Sequence, residues 1–133
     1  MTSNCIIEND TRDSRLIFGR VTKEYLEIGL ETPHAATHIK VFMYTDMPLL
    51  TAFFKEIAAN WKGWQGIKKF CSVERDFCVE ASHNGIAVVC LKIMLSSVTS
   101  TGVEGELRVS MNLECGALEN IANLVGTHLS KSN

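Results

Sequence analysis

The stretch IKVFMYTDMPLLTAFFKEIAANWK, residues 39–62, decides the fold class because its hydrophobic period changes along its length. Ile39, Val41 and Met43 recur at every second position, the period of a β-strand with one covered face. From residue 46 onward the apolar residues recur every three or four positions, which is typical of one helical face: Leu49, Leu50, Phe53, Phe54, Ile57, Ala58 and Trp61. The stretch therefore predicts a strand followed by a helix over residues 46–62.

The residues at both ends of this helix carry signals for its start and its stop. Asp46 is suited to cap the first turn, and Pro48 is tolerated there because the first helical N–H groups lack partners in any case. Gly63 is placed to end the helix in a left-handed conformation, with Trp64 folding back on the last turn. On this interpretation Trp61 is a core residue. Trp64 either fastens the helix end to the sheet, the interpretation that we favour, or is an exposed anchor for a partner.

Further strands are predicted on both sides of this helix from alternating or continuous apolar segments. They cover residues 5–8, 15–21 and 25–31 before the helix, and residues 68–73, 77–82, 86–95 and 104–113 after it. A closing amphipathic helix runs from about residue 116 to residue 129. We therefore predict an α+β fold over residues 1–133. It has one antiparallel sheet of about six to eight strands and two helices, in the order strands–helix–strands–helix.

The hairpin at residues 83–85 permits a prediction of register. A three-residue loop with Gly85 in a left-handed bulge places apolar residues opposite apolar residues, whereas a two-residue loop does not. The expected pairs are Phe77 with Leu91, Val79 with Val89 and Ala81 with Ala87. This register also sets Cys78 opposite Cys90 on the other face, a candidate redox-sensitive pair with Cys71 nearby.

Composition and charge exclude several classes of protein. With 133 residues, 46% hydrophobic and 21% charged, the chain has the length and balance of a single globular domain. The net charge of −2 is spread along the chain, so we expect no nucleic-acid partner. The N-terminus lacks the pattern of a secretory signal and no stretch of eighteen apolar residues occurs, so we expect a cytoplasmic protein without a membrane contact. Five cysteines without a C-x-x-C motif indicate neither a disulfide framework nor a zinc site.

The polar residues form no recognisable catalytic motif. His34 and His38 have the outer spacing of a zinc-protease helix, but the glutamate of that motif is missing and the segment reads as a loop entering a strand. We therefore expect no metal, no cofactor and no catalytic residue. The candidate partner-binding residues are one tryptophan, one hairpin histidine and acids on loops or outward strand positions: Trp64, Glu74, Asp76, Glu80, His83, Glu104 and Glu106.

One family resemblance rests on two motifs and a closing segment. The segment NWKGWQG at residues 60–66 and the segment FCVEASHNG at residues 77–85 resemble a W-x-G-W-x-G turn and an H-D-G hairpin. These motifs occur in a bacterial family designated as a domain of unknown function, number 6228. The segment LECGAL at residues 113–118 is similar as well, and Asn84 stands where the family usually has Asp. The resemblance implies no activity, because the family has none assigned. More loosely, by type alone, the chain resembles the immunity proteins of bacterial toxin–immunity pairs.

These observations favour a non-catalytic binding protein, a monomer or a homodimer, that binds and neutralises a cognate protein toxin. A first alternative is an enzyme or small-ligand protein with a site near Trp64 and His83. A second alternative is a self-associating structural module that pairs through exposed sheet edges.

Overall fold

Two groups of four strands, each followed by a helix, make up the chain. The structure is a computed structural model that describes residues 4–99 and 102–131, with the backbone alone for residues 98, 99 and 102–104. The first group comprises β1 (Cys5–Glu8), β2 (Arg15–Val21), β3 (Tyr25–Glu31), β4 (Ala36–Phe42) and α1 (Met47–Ala59). The second comprises β5 (Lys68–Cys71), β6 (Phe77–His83), β7 (Val88–Thr99), β8 (Gly102–Glu114), a 3-10 turn (Cys115–Ala117) and α2 (Leu118–Leu129). The α+β class and the predicted order of elements are confirmed.

The strands form two antiparallel sheets of four strands, with the orders β1-β2-β3-β4 and β5-β6-β7-β8. The prediction of one sheet with six to eight strands is therefore wrong on this point. Within each group, strands that are consecutive in the sequence pair with each other. Between the groups, α1 intervenes and β4 does not pair with β5. The alternation within each strand was visible in the sequence, but alternation does not say which strands share a sheet.

One hydrophobic cluster joins both sheets to the helices. The ring of Phe18 on β2 meets Phe54 of α1 edge-on at 6.1 Å between centroids, and meets Phe77 of β6 edge-on at 6.2 Å. All three phenylalanines are fully buried. Edge-to-face aromatic pairs of this kind stabilise a core beyond the area that they bury, so Phe18 fixes the two sheets against the first helix.

Helix α1 is shorter than the sequence predicted, and this changes the role of Trp61. The side chain and the backbone N–H of Asn60 both donate to the carbonyl oxygen of Glu56, at 2.8 and 3.1 Å, and the helix ends at Ala59. Trp61 lies beyond that end and is 50% exposed. The prediction that Trp61 is a core residue is therefore wrong, because the helical period no longer applies at its position.

The β6–β7 hairpin has a longer loop than predicted. His83 pairs with Val89, so the five residues 84–88 connect the paired positions, and Gly85 has the expected positive φ of 83°. The side-chain oxygen of Asn84 accepts hydrogen bonds from three backbone N–H groups of this loop at 2.9–3.1 Å. The predicted pairs are wrong by four residues, and the observed ones are Phe77 with Leu95, Val79 with Ile93 and Ala81 with Leu91. Because four is even, the same side chains still face the core.

The register also changes the cysteine pairing. Cys78 lies opposite Met94 on β7 and opposite Cys71 on β5, and the sulfur atoms of Cys71 and Cys78 form a disulfide. The expected juxtaposition of Cys78 with Cys90 is wrong, and so is the expectation that the cysteines form no disulfide.

Two further observations concern the metal and membrane predictions. His38 lies on β4, where its Nε2 is 3.1 Å from a carboxylate oxygen of Glu31, and His34 lies in the preceding turn. Within residues 4–99 and 102–131, neither helix is long and apolar enough to cross a bilayer.

Candidate functional site

A groove of about 900 Å³ opens where α1 ends, beside the β6–β7 loop and the start of α2. We name it the Trp61 groove. Three segments line it: Ala58, Ala59 and Trp61 after the last turn of α1, Ile86, Ala87 and Val88 of the loop, and Glu114, Cys115, Gly116 and Glu119 around the 3-10 turn. Its volume falls in the range of roughly 300–1,000 Å³ that is usual for ligand sites.

Two large apolar side chains stand exposed at this groove. Trp61 is 50% exposed and Ile86 is 85% exposed. Neither residue was predicted from the sequence as a site residue. The signal for Trp61 was Asn60, a residue that competes for helical hydrogen bonds and ends helices. Ile86 follows an Asn-Gly turn, where an apolar residue has no partner in the sheet, and this was the one available signal.

His83 holds the two walls of the groove together. Its Nδ1 accepts a hydrogen bond from the backbone N–H of Gly85 at 2.8 Å, and its Nε2 lies 2.8 Å from the carbonyl oxygen of Trp61. A backbone N–H can only donate and a carbonyl can only accept, so the imidazole is neutral with its proton on Nε2. His83 thereby ties the turn after α1 to the β6–β7 loop.

Trp64 packs against the ring of His83. It is half-buried, packs against the core cluster, and meets the His83 ring edge-on at 5.4 Å between centroids. The Nζ atom of Lys68 lies 5.4 Å from the centre of the indole ring. The indole Nε1 is buried without a hydrogen-bond partner among the described residues. This arrangement fits the favoured interpretation that Trp64 fastens the end of the helix to the sheet.

Cys115 places a thiol beside this histidine. Its Sγ lies 3.3 Å from Nε2 of His83, and desolvation by burial raises the pKa of the thiol. Because Nε2 carries the proton and Nδ1 is engaged by Gly85, His83 has no free lone pair that faces the thiol. The pair is therefore not arranged as a nucleophile and its general base. The two residues are 32 positions apart in the sequence, so no local motif predicts their contact.

The predicted acids lie away from the groove. Glu74 is exposed in the β5–β6 turn, and Asp76 in the same turn accepts a hydrogen bond from the Ser72 hydroxyl at 2.7 Å. This turn is at the opposite end of β6 from His83. Of the seven predicted residues, the structure brings Trp64 and His83 together and separates Glu74 and Asp76 from them.

Two further predicted acids, Glu80 and Glu106, lie on the outer face of the second sheet. Glu80 is 3.5 Å from the Nζ atom of Lys69, and Glu106 is 2.7 Å from the Nε atom of Arg108. The pKa of Arg108 is raised chiefly by its hydrogen bond to Glu106 and further by the charge of Glu80. The side chain of Glu104 lies outside the described residues. In the part of the chain that the structure describes, no three His, Cys, Asp or Glu side chains are grouped so that they could hold a metal ion.

Comparison with known proteins identifies the family alone. No curated protein and no solved structure matches this chain. The model of a family of unknown function, DUF6228, matches residues 18–132. That range includes both tryptophans, the β6–β7 hairpin, and the 3-10 turn with α2, and therefore every segment that lines the Trp61 groove. Because the match spans most of the chain, this protein belongs to the DUF6228 family.

Proposed function

We propose that this protein is a non-catalytic binding protein and that the Trp61 groove is its contact surface for a protein partner. The observation that carries the proposal is the exposure of Trp61 and Ile86, 50% and 85%, at the edge of one groove. Tryptophan is enriched among the residues that dominate binding energy, because one ring buries much area at a small cost in entropy. Burying such a side chain in an interface contributes about 1.5–3 kcal/mol.

The chemistry beside the groove supports binding over catalysis. The hydrogen bonds of His83 occupy both of its ring nitrogens, and desolvation raises the pKa of the Cys115 thiol, which disfavours the nucleophilic thiolate. A general base must have a free lone pair within reach of the proton that it abstracts. His83 lacks one here, while its bonds to Trp61 and Gly85 hold the apolar rim in place for a partner.

We further propose that the biological role is that of an immunity protein, which binds a cognate bacterial toxin and neutralises it by covering the toxin's active site. The slight net negative charge of −2 and the modest length of 133 residues support this role by type. Among the residues that line the groove, Glu114 and Glu119 supply negative charge. An occluding inhibitor needs only surface complementarity, and this groove with its rim offers such a surface.

The test is co-expression with the product of the adjacent gene, followed by co-purification and an assay of toxicity. We expect a stable complex and protection of the cells. Trp61→Ala combined with Ile86→Ala should abolish both. Leu49→Ala, at a leucine that is 58% exposed on α1, serves as the matched control and should leave both unchanged. A folded double variant that still binds and protects would refute the groove as the contact surface, and a neighbouring toxin that never binds would refute the immunity role.

A second candidate function, binding of a small apolar ligand, is favoured by the volume of the same groove. Thermal unfolding in the presence of an uncharged apolar ligand, a medium-chain primary alcohol, tests it, because a fatty-acid carboxylate would be repelled by Glu114 and Glu119. A rise in Tm that disappears in Trp61→Ala would support this candidate, and an unchanged Tm at millimolar ligand would count against it.

A further inference from the structure

The wall of the Trp61 groove that is formed by the β6–β7 loop restricts the conformation of a bound chain, because its backbone groups are already hydrogen-bonded. On the loop wall, the N–H groups of Ile86, Ala87 and Val88 all donate to the side-chain oxygen of Asn84. The carbonyl oxygen of Val88 accepts from Asn84 at 3.0 Å, and that of Ala87 accepts from Cys115 at 2.9 Å. These backbone groups are therefore already engaged.

An extended segment gains most of its affinity from main-chain hydrogen bonds to a free sheet edge. The loop wall has no such row to offer, so an extended occupant would leave its own N–H and C=O groups facing engaged partners and apolar side chains. An unpaired polar group at a buried interface is costly. A helix satisfies its backbone internally and presents only side chains, so a helix suits this surface better than a strand.

The residues that line the groove indicate which side chains that helix carries. Trp61 and Ile86 offer an apolar contact, and the charged lining residues are both acids, Glu114 and Glu119. Lys62, with its Nζ atom 5.5 Å from the centre of the Trp61 ring, is a basic neighbour that offsets part of this charge. Glu119 also lies in the first turn of α2, where the helix dipole stabilises an acid. Two acids against one base favour cationic side chains on the occupant.

We propose that the Trp61 groove binds an amphipathic helix of the partner protein, with bulky apolar side chains at helical spacing and Lys or Arg residues on its flanks. This inference rests on the proposed function, since it names the part of the partner that the groove holds. It also accounts for the small side chains of Ala58 and Ala59 in the groove, which allow a helix to approach α1 closely.

Calorimetry on the full-length protein with three synthetic peptides of about 15 residues tests the inference. All three share one apolar face with Trp and Leu at helical spacing. The first carries Lys on its flanks, the second carries Glu there, and the third is the Lys peptide with a central Pro that breaks the helix. We expect the Lys helix to bind, and both other peptides to bind at least about tenfold more weakly.

Variants of the protein attribute that binding to the groove. Trp61→Ala should lower the affinity for the Lys peptide by about thirtyfold. In the double variant Glu114→Gln with Glu119→Gln, the affinities of the Lys peptide and the Glu peptide should differ by no more than about threefold. Leu124→Ala, at a leucine that is 50% exposed elsewhere on α2, is the matched control and should have no effect.

Equal binding of the Lys and Glu helices, equal binding of the Pro peptide, or an unaffected Trp61→Ala variant would each overturn the inference. These failures remain distinguishable from failure of the proposed function. If the product of the adjacent gene binds through Trp61 while the peptides show no preference for charge or helix, the groove is a partner site but its occupant has a different chemistry. If that protein does not bind either, both proposals fail.

Discussion

The two ends of strand β6 differ in what their side chains do. At the β5–β6 turn, polar groups are hydrogen-bonded to the protein itself. The carboxylate of Asp46 accepts a hydrogen bond from the Val73 N–H at 3.0 Å. The side chain of Asp76 accepts one from the Ser72 hydroxyl at 2.7 Å, and its backbone carbonyl accepts one from the Ser96 N–H at 2.8 Å. At the other end, His83 likewise holds two segments together, but the side chains that it supports, Trp61 and Ile86, face outward.

The two ends of β6 therefore differ as candidates for an interaction surface. The acids around Glu74 and Asp76 stand out in the sequence, yet the structure uses Asp76 to close a turn. The groove end contains no predicted acid, but it leaves the apolar side chains of Trp61 and Ile86 exposed. Exposed apolar area beside a concavity is therefore the better indicator of an interaction surface in this molecule.

The largest expected effect separates the two tryptophans. Trp64→Ala should lower the free energy of unfolding by about 2–3 kcal/mol, because it removes a half-buried ring that packs on the core and on His83. Trp61→Ala should change it by less than about 0.5 kcal/mol, because that ring is already half exposed. Urea unfolding followed by circular dichroism measures both values. If both variants lost the same free energy of unfolding, the assignment of a structural role to Trp64 and a binding role to Trp61 would be wrong.

The next effect tests the polar end. Asp46 is buried, and its carboxylate ties the start of α1 to the β5–β6 turn through Val73. Asp46→Ala should lower the free energy of unfolding by about 1.5–2 kcal/mol, because the Val73 N–H loses a charged acceptor. Asp46→Asn should recover part of that loss, since its side-chain oxygen still accepts.

Glu74→Ala is the matched control, at an exposed acid of the same turn. It should change the free energy of unfolding by less than about 0.5 kcal/mol. If Glu74→Ala proved as destabilising as Asp46→Ala, the account of this end as a set of specific hydrogen bonds would be wrong. If neither variant affected binding of the partner, the contrast between a structural end and a binding end would be sharpened.

The fold was predictable as far as local patterns reach. The bounds of β1, β2 and β3 follow from alternation or an apolar run within each segment, and the face of β6 that is buried follows from the same parity. The division into two sheets depends on which strands pair across α1, and the β6–β7 register depends on one side-chain oxygen of Asn84. Neither of these leaves a periodic signal in the sequence.

The site was less predictable, because it is made of contacts between distant segments. His83 and Trp64 were both identified as candidates, yet the contact of His83 with Cys115 joins residues 32 positions apart. The exposure of Trp61 depends on a helix that ends two residues earlier, at Ala59. Helical periodicity assigns a residue to a buried or an exposed face only within the helix, and it does not apply to residues beyond the helix end.

The smallest expected effect concerns the thiol at the groove. Because burial raises the pKa of Cys115, its reactive thiolate becomes the main form only above the ordinary range for a thiol. Alkylation of Cys115 by iodoacetamide at pH 8, followed by mass spectrometry, should be about threefold to fivefold slower in the folded protein than in the urea-unfolded chain, and the rate should rise with pH.

The variant His83→Ala decides how that slow reaction is to be understood. If His83 acts only as a tie between Trp61 and Gly85, its removal loosens the groove, and Cys115 should react as fast as before or faster. If His83 instead served as a base for the thiol, alkylation in the unsubstituted protein would be fast near neutral pH, and the variant would lose that reactivity. The second outcome would place catalytic chemistry at the groove end, and the contrast between the two ends of β6 would then be one of catalysis against structure.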